Sequence, residues 1–377
     1  MPLRVLLDAT AVPADRGGVG RYVDGLIAAF GTGEIDIDLA VVCQRADAER
    51  YGRVAPSATI IPGPAAIAHR PARLAWEQTG LPLVAQQVDA AVVHSPHYTM
   101  PLRAGRPSVV TIHDATFFTE PVMHTAVKGT FFRSATRTAV RRATRCVVPS
   151  KATRDELVRI LDADPTTLDV AYHGVDSALF HLPTDAEREH VRARLGLAGT
   201  SYVAFLGMLE PRKNVPALVR GFVEAVKDRP DPPALVLAGG SGWDQEVSAE
   251  VATVPAHLRV LLPGYLRFSD LPGYLGGALI VAYPSHGEGF GLPVLEAMAC
   301  GAAVLTTQRL SLPEVGGDAV AYTEPDPESI ATALAALLDD PERRSRLSAA
   351  GRARAAEFTW AGSAEAHLAS YTRAAAE

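Results

Sequence analysis

The chain has 377 residues, enough for two domains of ordinary size, each with its own core. Its hydrophobic share of 48% and charged share of 21% are typical of a water-soluble globular protein, and its net charge of −6 argues against general nucleic-acid binding. The charge is uneven: residues 1–175 hold 19 Lys and Arg against 17 Asp and Glu, and the remainder holds 17 against 25. An anionic partner is therefore expected on the first half.

Cysteine content, hydropathy and the N-terminus together predict a cytoplasmic protein. Cys43, Cys146 and Cys300 lack metal-ligand spacing and are expected to be small buried hydrophobic residues in a reducing compartment. No apolar stretch approaches the roughly 18 residues that span a bilayer. The first predicted strand begins at Arg4, so no signal peptide is expected.

Short apolar segments that end in turn residues predict parallel strands. In the first half these segments are Arg4–Asp8, Asp38–Cys43, Ala58–Pro62, Ala90–His94, Ser108–His113, Arg145–Pro149 and Leu168–Tyr172. The series restarts with Tyr202–Leu206, Leu235–Ala238, Arg259–Leu262, Leu279–Tyr283 and Ala303–Leu305. Helical periodicity separates several of them, as in Arg21–Phe30 and Ala152–Leu161, and this alternation predicts two Rossmann-like α/β domains.

Turn residues from His173 to Thr184 place the domain boundary at 176/177, and a helical tail after Pro341 is interrupted around Phe358-Thr-Trp360. The predicted segments are therefore 1–176, 177–357 and 358–377. Ligands of doubly wound sheets bind beyond the carboxyl ends of the strands. Two such sheets that face each other predict a site in the cleft between the domains.

The run Arg16-Gly17-Gly18-Val-Gly20-Arg21-Tyr22 lies between the first predicted strand and its helix. Its glycines allow the backbone to approach a ligand closely, and a helix start can hold an anion. The run is not a dinucleotide fingerprint, because Val23 stands where the third glycine belongs.

His113 and Asp114 close a predicted strand, where a histidine can donate to a sugar hydroxyl; a structural role is equally well supported. For His94 and His97 a structural turn is favoured over chemistry. The run Asp36-Ile-Asp38 has the spacing to hold a divalent ion, but it leads into an apolar strand and is not expected to bind metal.

Arg212 and Lys213 follow the first strand of the second domain, just before a helix predicted from about Asn214. Adjacent fixed cations at the carboxyl end of a strand suit a diphosphate, whose negative charge grows as it leaves a glycosyl group. Solvated basic loop residues are the alternative interpretation.

The run His286-Gly-Glu288-Gly-Phe290-Gly291-Leu292-Pro-Val-Leu-Glu296-Ala-Met-Ala-Cys-Gly301 is the most informative in the chain. Glu288 is predicted in a glycine-rich loop, and Glu296 in the first turn of a helix that begins at Pro293 and ends before Gly301. Carboxylates accept hydrogen bonds, so two acids near a phosphate-binding helix start indicate recognition of sugar or ribose hydroxyls. A Glu296 that only complements the helix dipole is the alternative.

Residues 121–154 contain eight Lys and Arg, two phenylalanines and no acid. Arg133, Arg137 and Arg141 recur at i,i+4 and are predicted to share a helix face. Such a face can contact anionic lipid or hold a lipid-phosphate acceptor. A merely solvated face is the favoured interpretation.

Together these segments resemble the retaining family-4 glycosyltransferases of the GT-B fold over nearly the whole chain. The resemblance rests on Gly17-Gly-Val-Gly-Arg-Tyr22, His113-Asp114, Glu210-Pro-Arg-Lys-Asn214, the run from Glu288 to Gly301, and Ser311-Leu-Pro-Glu314. It implies that the first domain binds the acceptor, the second binds a nucleotide-sugar, and the last helix packs back on the first. The chain is most similar to bacterial mannosyltransferases that use GDP-mannose to build polysaccharide, lipid-linked glycan or a glycosylated metabolite; a UDP-hexose donor is the near alternative.

The resemblance also implies roles for single residues. Arg212 and Lys213 hold the diphosphate, and His113 contacts the transferred sugar near the reaction centre. Glu296 binds the ribose hydroxyls, and Glu288 grips the sugar. The remaining donor-binding residues are Gly17, Gly18, Gly20, Phe290, Gly291 and Leu292. The residues on the acceptor side are Arg21, Tyr22, His94, His97 and Asp114.

Such enzymes need no metal and no cofactor besides the nucleotide-sugar co-substrate. No residue stands out as a covalent nucleophile, so retention is expected by a same-face mechanism that the leaving phosphate assists. Two other functions stay open: an NAD-dependent oxidoreductase, disfavoured by the missing third glycine, and a non-catalytic sugar-nucleotide-binding protein, disfavoured by the complete set of motifs. The acceptor is left open. The protein is expected at the inner face of the membrane only if residues 121–154 bind lipid.

Overall fold

The structure, a computed structural model, describes residues 2–13 and 16–377. The chain divides into two compact units. The first comprises Met1–Gly174 and Phe358–Glu377, and the second comprises Val175–Glu357. The boundary at 176/177 inferred from turn residues lies two residues beyond Gly174.

A parallel sheet of seven strands forms the centre of the first unit. Its strands are β1 (Leu3–Asp8), β2 (Ile37–Cys43), β3 (Thr59–Pro62), β4 (Val92–Ser95), β5 (Ser108–Thr111), β6 (Arg145–Val148) and β7 (Leu168–Val170). Their order across the sheet is β3-β2-β1-β4-β5-β6-β7. Each coincides with a predicted strand, because strands covered on both faces are continuously apolar. The strands β5, β6 and β7 end one or two residues earlier than predicted.

Helices connect these strands and cover the sheet. They are α1 (Gly18–Gly31), α2 (Ala48–Val54), α3 (Arg70–Gln87), α4 (Thr116–Thr119), α5 (Ala126–Arg142) and α6 (Lys151–Leu161). The start of α6 shows how the sequence fixes such an element: the Ser150 hydroxyl accepts from the N–H of Thr153 at 3.0 Å. The helix ends where Asp162 adopts a left-handed conformation, with φ of 53°.

The second unit repeats this plan with six parallel strands. They are β8 (Tyr202–Leu206), β9 (Ala234–Ala238), β10 (Val260–Gly264), β11 (Ile280–Tyr283), β12 (Val304–Thr307) and β13 (Ala321–Thr323), in the order β10-β9-β8-β11-β12-β13. Its helices are α7 (Asp185–Arg194), α8 (Val215–Val226), α9 (Glu246–Ala252), α10 (Leu271–Gly276), α11 (Leu292–Ala299), α12 (Leu312–Gly316), α13 (Pro327–Asp339) and α14 (Pro341–Ala355). The strand β13 was not predicted, because three residues are too few to give an apolar pattern.

The last helix, α15 (Trp360–Ala376), belongs to the first unit, as predicted. It packs on α1, where a side chain at Gly25 would overlap the indole ring of Trp360. Ala364 and Tyr371 complete the apolar core that α1 and β1 begin. Among the described residues, no helix is both long and apolar enough to cross a membrane. The three cysteines are buried free thiols, as expected.

The strand order reverses at the first strand of each sheet. In the first unit β1 lies between β2 and β4, and in the second β8 lies between β9 and β11. The loops that leave two neighbouring strands at such a point turn to opposite faces, so a crevice opens beyond the carboxyl ends, and ligands bind there. In the second unit these are the loops after β8 and β11, which carry Arg212, Lys213 and Glu288.

Candidate active site

Backbone and side-chain hydrogen bonds tie together the two loops at the switch point of the second unit. The loop after β8 ends in a single 3-10 turn, Pro211–Lys213, and Asn214 then takes a left-handed conformation with φ of 59° before α8 begins. The Asn214 amide donates to the carbonyl of Pro284 at 3.2 Å. The carbonyl of Arg212 accepts from the N–H of His286 at 2.9 Å. These bonds fix both loops before any ligand arrives.

The carboxylate of Glu288 is the centre of the site. Its Oε1 accepts from Lys213 Nζ at 2.7 Å, from the Ser285 hydroxyl at 2.8 Å and from the Tyr283 hydroxyl at 2.9 Å. Its Oε2 lies 2.5 Å from Nη1 of Arg212. All three predicted residues of this unit's reaction centre, Arg212, Lys213 and Glu288, therefore meet in one cluster.

Burial and charge fix the ionisation of this cluster. The side chains of Arg212, Lys213 and Glu288 are only 12%, 9% and 8% exposed. Burial alone would raise the pKa of Glu288, but the charges of Arg212 and Lys213 outweigh it and lower that pKa to about 2. Burial and the neighbouring guanidinium lower the pKa of Lys213, against the attraction of Glu288. Burial raises the pKa of Tyr283 well above its ordinary value, so the phenol is neutral.

Arg212 also lies 3.9 Å from Glu210, so two cations and two acids make this cluster close to neutral overall at the carboxyl ends of β8 and β11. The N–H groups of Arg212 and Lys213 are fixed donors in a largely desolvated site, where such donors stabilise negative charge that develops on a bound group. The alternative interpretation of Arg212 and Lys213 as solvated loop residues is wrong, because both are buried and bonded to Glu288.

Ser311 stabilises the glycine-rich loop between β11 and α11. Its hydroxyl lies 2.8 Å from the carbonyl oxygens of both Glu288 and Phe290. Gly291 caps α11 with φ of 107°, a conformation that favours glycine, and a Cβ there would be 2.9 Å from Leu312. Because Phe290 and Leu292 are buried, any contact that this loop makes with a donor comes mainly from its backbone.

The expected start of the helix that carries Glu296 is wrong by one residue. The helix begins at Leu292, so Glu296 is its fifth residue and lies in the second turn. The end of the helix is as predicted: Gly301 follows the cap with φ of 77°. Glu296 is only 2% exposed, and burial together with its negative charge raises the pKa of Cys300. Its contact with ribose stays a prediction.

In the first unit, the run predicted as a glycine loop lies largely inside a helix. Gly17 caps α1, and Gly18 and Gly20 belong to its first turn, which also contains the half-buried Arg21. A Cβ on Gly17 or Gly18 would meet no described atom within 4 Å, so their neighbours leave room for a ligand. The expectation of a loop was wrong because helix propensity disfavours glycine, whereas the tertiary fold imposes the helix here.

Tyr22 and His94 were expected on the acceptor side, but both are fully buried in a hydrogen-bond chain. Nδ1 of His367 donates to the carbonyl of Ser363, so its Nε2 accepts from the Tyr22 hydroxyl at 2.8 Å. Tyr22 in turn bonds Thr111 at 2.8 Å.

The same chain continues through His94. Its Nε2 donates to the Thr111 hydroxyl and its Nδ1 accepts from the Tyr371 hydroxyl, both at 2.8 Å. The chain joins α15 to α1, β4 and β5. Tyr22 and His94 therefore hold the fold together, and their assignment to the acceptor side is corrected.

His113, His97 and Asp114 lie just beyond the strands, as predicted. Nε2 of His113 donates to the carbonyl of Pro96 at 2.8 Å, and burial lowers the pKa of the ring. The neutral ring therefore presents Nδ1 as an acceptor and not as a donor, and its contact with a sugar stays a prediction. Burial lowers the pKa of His97 to about 3. Asp114 accepts from the backbone N–H and hydroxyl of Thr116 at 3.0 and 2.8 Å, which supports a structural role.

The basic stretch divides into buried and exposed residues. Arg145 is buried against Asp169 at 2.6 Å, and Arg133 donates to the carbonyl of Phe117 at 3.0 Å. Arg137 and Arg141 are exposed on α5, and so is Arg142. Arg133, Arg137 and Arg141 share a face of α5, as predicted, but Arg133 bonds Phe117 and Arg137 lies 5.1 Å from the ring centroid of Phe118, so part of this face packs against α4.

Further polar residues near both switch points were not predicted from the sequence. Tyr283 and Ser285 complete the Glu288 cluster; an aromatic residue at a strand end is indistinguishable from core in a sequence. In the first unit, Arg73 pairs with Glu77 at 2.9 Å, and burial raises the pKa of Asp8 at the end of β1. The i,i+4 spacing of Arg73 and Glu77 was the available sequence signal for this pair.

Asp38 of the Asp36-Ile-Asp38 run pairs with Arg4 at 2.6 Å.

Comparison with known proteins gives the family. The profile described as Glycosyl transferases group 1 matches residues 187–354, and Glycosyltransferase Family 4 matches residues 16–179. The chain is 32% identical to O-antigen chain mannosyltransferase B of Escherichia coli over 273 residues, 71% of each chain. It is 29% identical to a D-inositol 3-phosphate glycosyltransferase of Corynebacterium kroppenstedtii, over 94% of this chain and 84% of the relative.

Solved structures share the fold at low identity. HepE of Anabaena, in complex with UDP-glucose, has a TM-score of 0.76 and 18% identity, with 97% of this chain and 98% of that chain covered. A sucrose-phosphate synthase from Thermosynechococcus elongatus has a TM-score of 0.77 and 20% identity, with 96% of each covered. Both halves of the sequence and both sheets thus lead to one assignment: the chain belongs to the family-4 glycosyltransferases of the GT-B fold and is a hexosyltransferase.

Proposed function

We propose that the protein transfers mannose from GDP-mannose to a hydroxyl acceptor, with retention of the anomeric configuration and without a metal ion. The observation that carries the proposal is the buried ion cluster of Arg212, Lys213 and Glu288, which fixes two cations at the switch point of the second unit. Its two fixed cations and its place beyond the strand ends suit the diphosphate of a nucleotide-sugar. The identity of 32% to O-antigen chain mannosyltransferase B supports mannose as the sugar.

In the proposed reaction, the bond between the anomeric carbon and the diphosphate oxygen breaks. The acceptor oxygen bonds to the same face of that carbon, and the acceptor proton passes to the leaving phosphate. The enzyme then needs no covalent nucleophile. Arg212 and Lys213 stabilise the negative charge that grows on the diphosphate, a task that a metal ion would otherwise perform.

The acceptor is proposed to be a glycan of polysaccharide biosynthesis, as the name of the Escherichia coli relative indicates. A phosphorylated inositol is the second candidate. It is supported by the D-inositol 3-phosphate glycosyltransferase that matches 94% of this chain.

We also propose that the enzyme works in the cytoplasm and contacts the inner face of the membrane through α5. Three arginines are exposed on this helix, Arg137, Arg141 and Arg142, and the helix contains no acid. Arginines near an anionic lipid surface contribute about 1 kcal/mol each to binding.

A thermal-shift screen against GDP, UDP, ADP and NAD, followed by transfer assays with GDP-mannose and UDP-glucose, tests the proposal. A ligand at 100 times its Kd stabilises a protein by about 2.7 kcal/mol, which such a screen detects. GDP is expected to stabilise most, and GDP-mannose to be consumed. Stabilisation by UDP and consumption of UDP-glucose would move the donor to a UDP-hexose. Stabilisation by NAD alone would contradict the proposal.

A further inference from the structure

Tyr283 lies at the centre of the ion cluster, although no motif pointed to it. It is the last residue of β11 and is fully buried. Its ring stacks on Phe205, with centroids 5.7 Å apart and an interplanar angle of 15°. Its hydroxyl contacts Nζ of Lys213 and lies 2.9 Å from Oε1 of Glu288.

The direction of each hydrogen bond follows from the chemistry of the groups. An ammonium group only donates, so Lys213 donates to the phenol oxygen. A carboxylate only accepts, so the single phenol proton goes to Glu288. Lys213 also donates directly to Oε1 of Glu288 at 2.7 Å. The three groups thus form a closed ring that occupies two of the three N–H groups of Lys213. Within the part of the chain that the structure describes, the third has no partner.

We propose that Tyr283 is a positioning residue for glycosyl transfer: its hydroxyl holds the ammonium of Lys213 so that the third N–H is kept for the leaving diphosphate. This inference rests on the proposed function. A lysine side chain is flexible and loses rotamer freedom when it is fixed. With Glu288 as its one acceptor, the ammonium could pivot about that contact. A second acceptor on the end of a strand removes this freedom.

The chain offers a clean separation of the hydroxyl from the ring. Tyr283→Phe keeps the stacking on Phe205 and the cation–π contact, in which Nζ of Lys213 lies 4.9 Å from the ring centroid. It removes only the hydroxyl. Tyr202 provides a matched control, because it is equally buried and its hydroxyl donates to the carbonyl of Tyr274 at 2.6 Å. Its hydroxyl has no contact with the ion cluster.

The test compares the parent, Tyr283→Phe and Tyr202→Phe by steady-state kinetics across pH with the donor that the parent uses. Tyr283→Phe is expected to lower kcat by on the order of tenfold and to change the donor KM much less. The reason is that a misplaced Lys213 ammonium destabilises the transition state more than the bound donor. The alkaline limb of its kcat profile should move to lower pH, because the Lys213 ammonium loses an acceptor that favours its charged form. Tyr202→Phe should keep the parent's kcat and alkaline limb.

Two further results decide the inference. Replacement of Tyr283 by 3-fluorotyrosine keeps the shape of the side chain but weakens its oxygen as an acceptor. The alkaline limb of the kcat profile should therefore move to lower pH, by less than in Tyr283→Phe. This variant also tests the inference if Tyr283→Phe does not fold. A Tyr283→Phe enzyme with the parent's kcat and limb overturns the inference, and so do equal losses in the Tyr202→Phe control. A parent that transfers no hexose from any nucleotide-sugar contradicts the proposed function itself, and that result appears before any substitution is made.

Discussion

Lys213 and Glu288, 75 positions apart in the chain, form a buried ion pair with 2.7 Å between Nζ and Oε1. They meet because β8 and β11 are neighbours in the sheet although two other strands separate them in sequence. The pair joins the loop expected to hold the diphosphate to the loop expected to hold the sugar. The charge of either residue therefore depends on the other, and substitutions have to be designed with that in mind.

Lys213→Ala is expected to lower kcat by on the order of a hundredfold and to raise the donor KM much less. The reason is that Lys213 stabilises charge that appears on the diphosphate in the transition state. Glu288 keeps Arg212, Tyr283 and Ser285 as partners, so the protein should still fold. Glu288→Ala, by contrast, removes the carboxylate that pairs with the buried Arg212 and Lys213. It is expected to lower the unfolding free energy by about 3–5 kcal/mol. Denaturant unfolding separates the loss of stability in Glu288→Ala from the loss of activity in Lys213→Ala. If Lys213→Ala raised the donor KM by a larger factor than it lowered kcat, that result would argue against transition-state stabilisation by Lys213.

Glu296 and Glu288 are expected to divide donor binding from turnover. Glu296→Gln should weaken binding of free nucleotide by about 1.5–3 kcal/mol, the cost of a lost hydrogen bond to a charged group. Glu288→Gln, which keeps the shape of the cluster, should bind nucleotide nearly as the parent does and turn over more slowly. Calorimetry with GDP and UDP measures this directly, and equal losses of affinity in both variants would contradict the division.

Three buried histidines of the first unit predict that acid destabilises it. Burial lowers the pKa of His94 and His173 well below the ordinary value, and that of His367 to about 4. These rings are neutral in the folded state, whereas in the unfolded state they protonate near pH 6.5. Below pH 6.5 the unfolded state binds more protons, so the unfolding free energy falls as pH drops from 6.5 toward 4.

His367→Gln should reduce this slope by up to about 1.4 kcal/mol per pH unit, the contribution of one proton. Unfolding free energies of parent and variant at several values between pH 7.5 and pH 4.5 provide the comparison. Parallel slopes for the two proteins would show that His367 does not stay neutral on folding.

Contact with anionic lipid is expected to depend on Arg137, Arg141 and Arg142. Reversal of all three to Glu should abolish sedimentation with anionic vesicles and leave GDP affinity unchanged. The matched control reverses Arg343, Arg346 and Arg352, three exposed arginines of α14 in the second unit, with the same change of net charge. Equal loss in both variants, or no binding by the parent, would favour a merely solvated helix face.

The sequence was sufficient to predict every strand except β13, and the three charged residues of the second unit's site. Strands buried on both faces leave continuous apolar runs, and polar residues just after such runs, Arg212, Lys213 and Glu288, lie at the carboxyl ends of neighbouring strands. The first turn of α1 was not predicted, because Gly18 and Gly20 disfavour a helix by themselves.

Residues of a polar core were the other source of error. Tyr22 and His94 have the chemistry of binding residues, but their partners His367 and Tyr371 are 345 and 277 positions away. No local pattern reveals such a pairing. Tyr283 was taken for a core residue although it belongs to the site. It ends an apolar strand, and the sequence does not show that its hydroxyl bonds to charged groups.

Metal-independent transfer with retention is the central claim, and NMR analysis of the product tests it most directly. The parent enzyme is incubated with GDP-mannose and an acceptor glycan in excess EDTA, and the anomeric coupling constants of the product are measured. We expect undiminished turnover in EDTA and a product with the anomeric configuration of the donor, because Arg212 and Lys213 would stabilise the leaving diphosphate. An inverted product, or activity that EDTA abolishes and Mg²⁺ or Mn²⁺ restores, would contradict it.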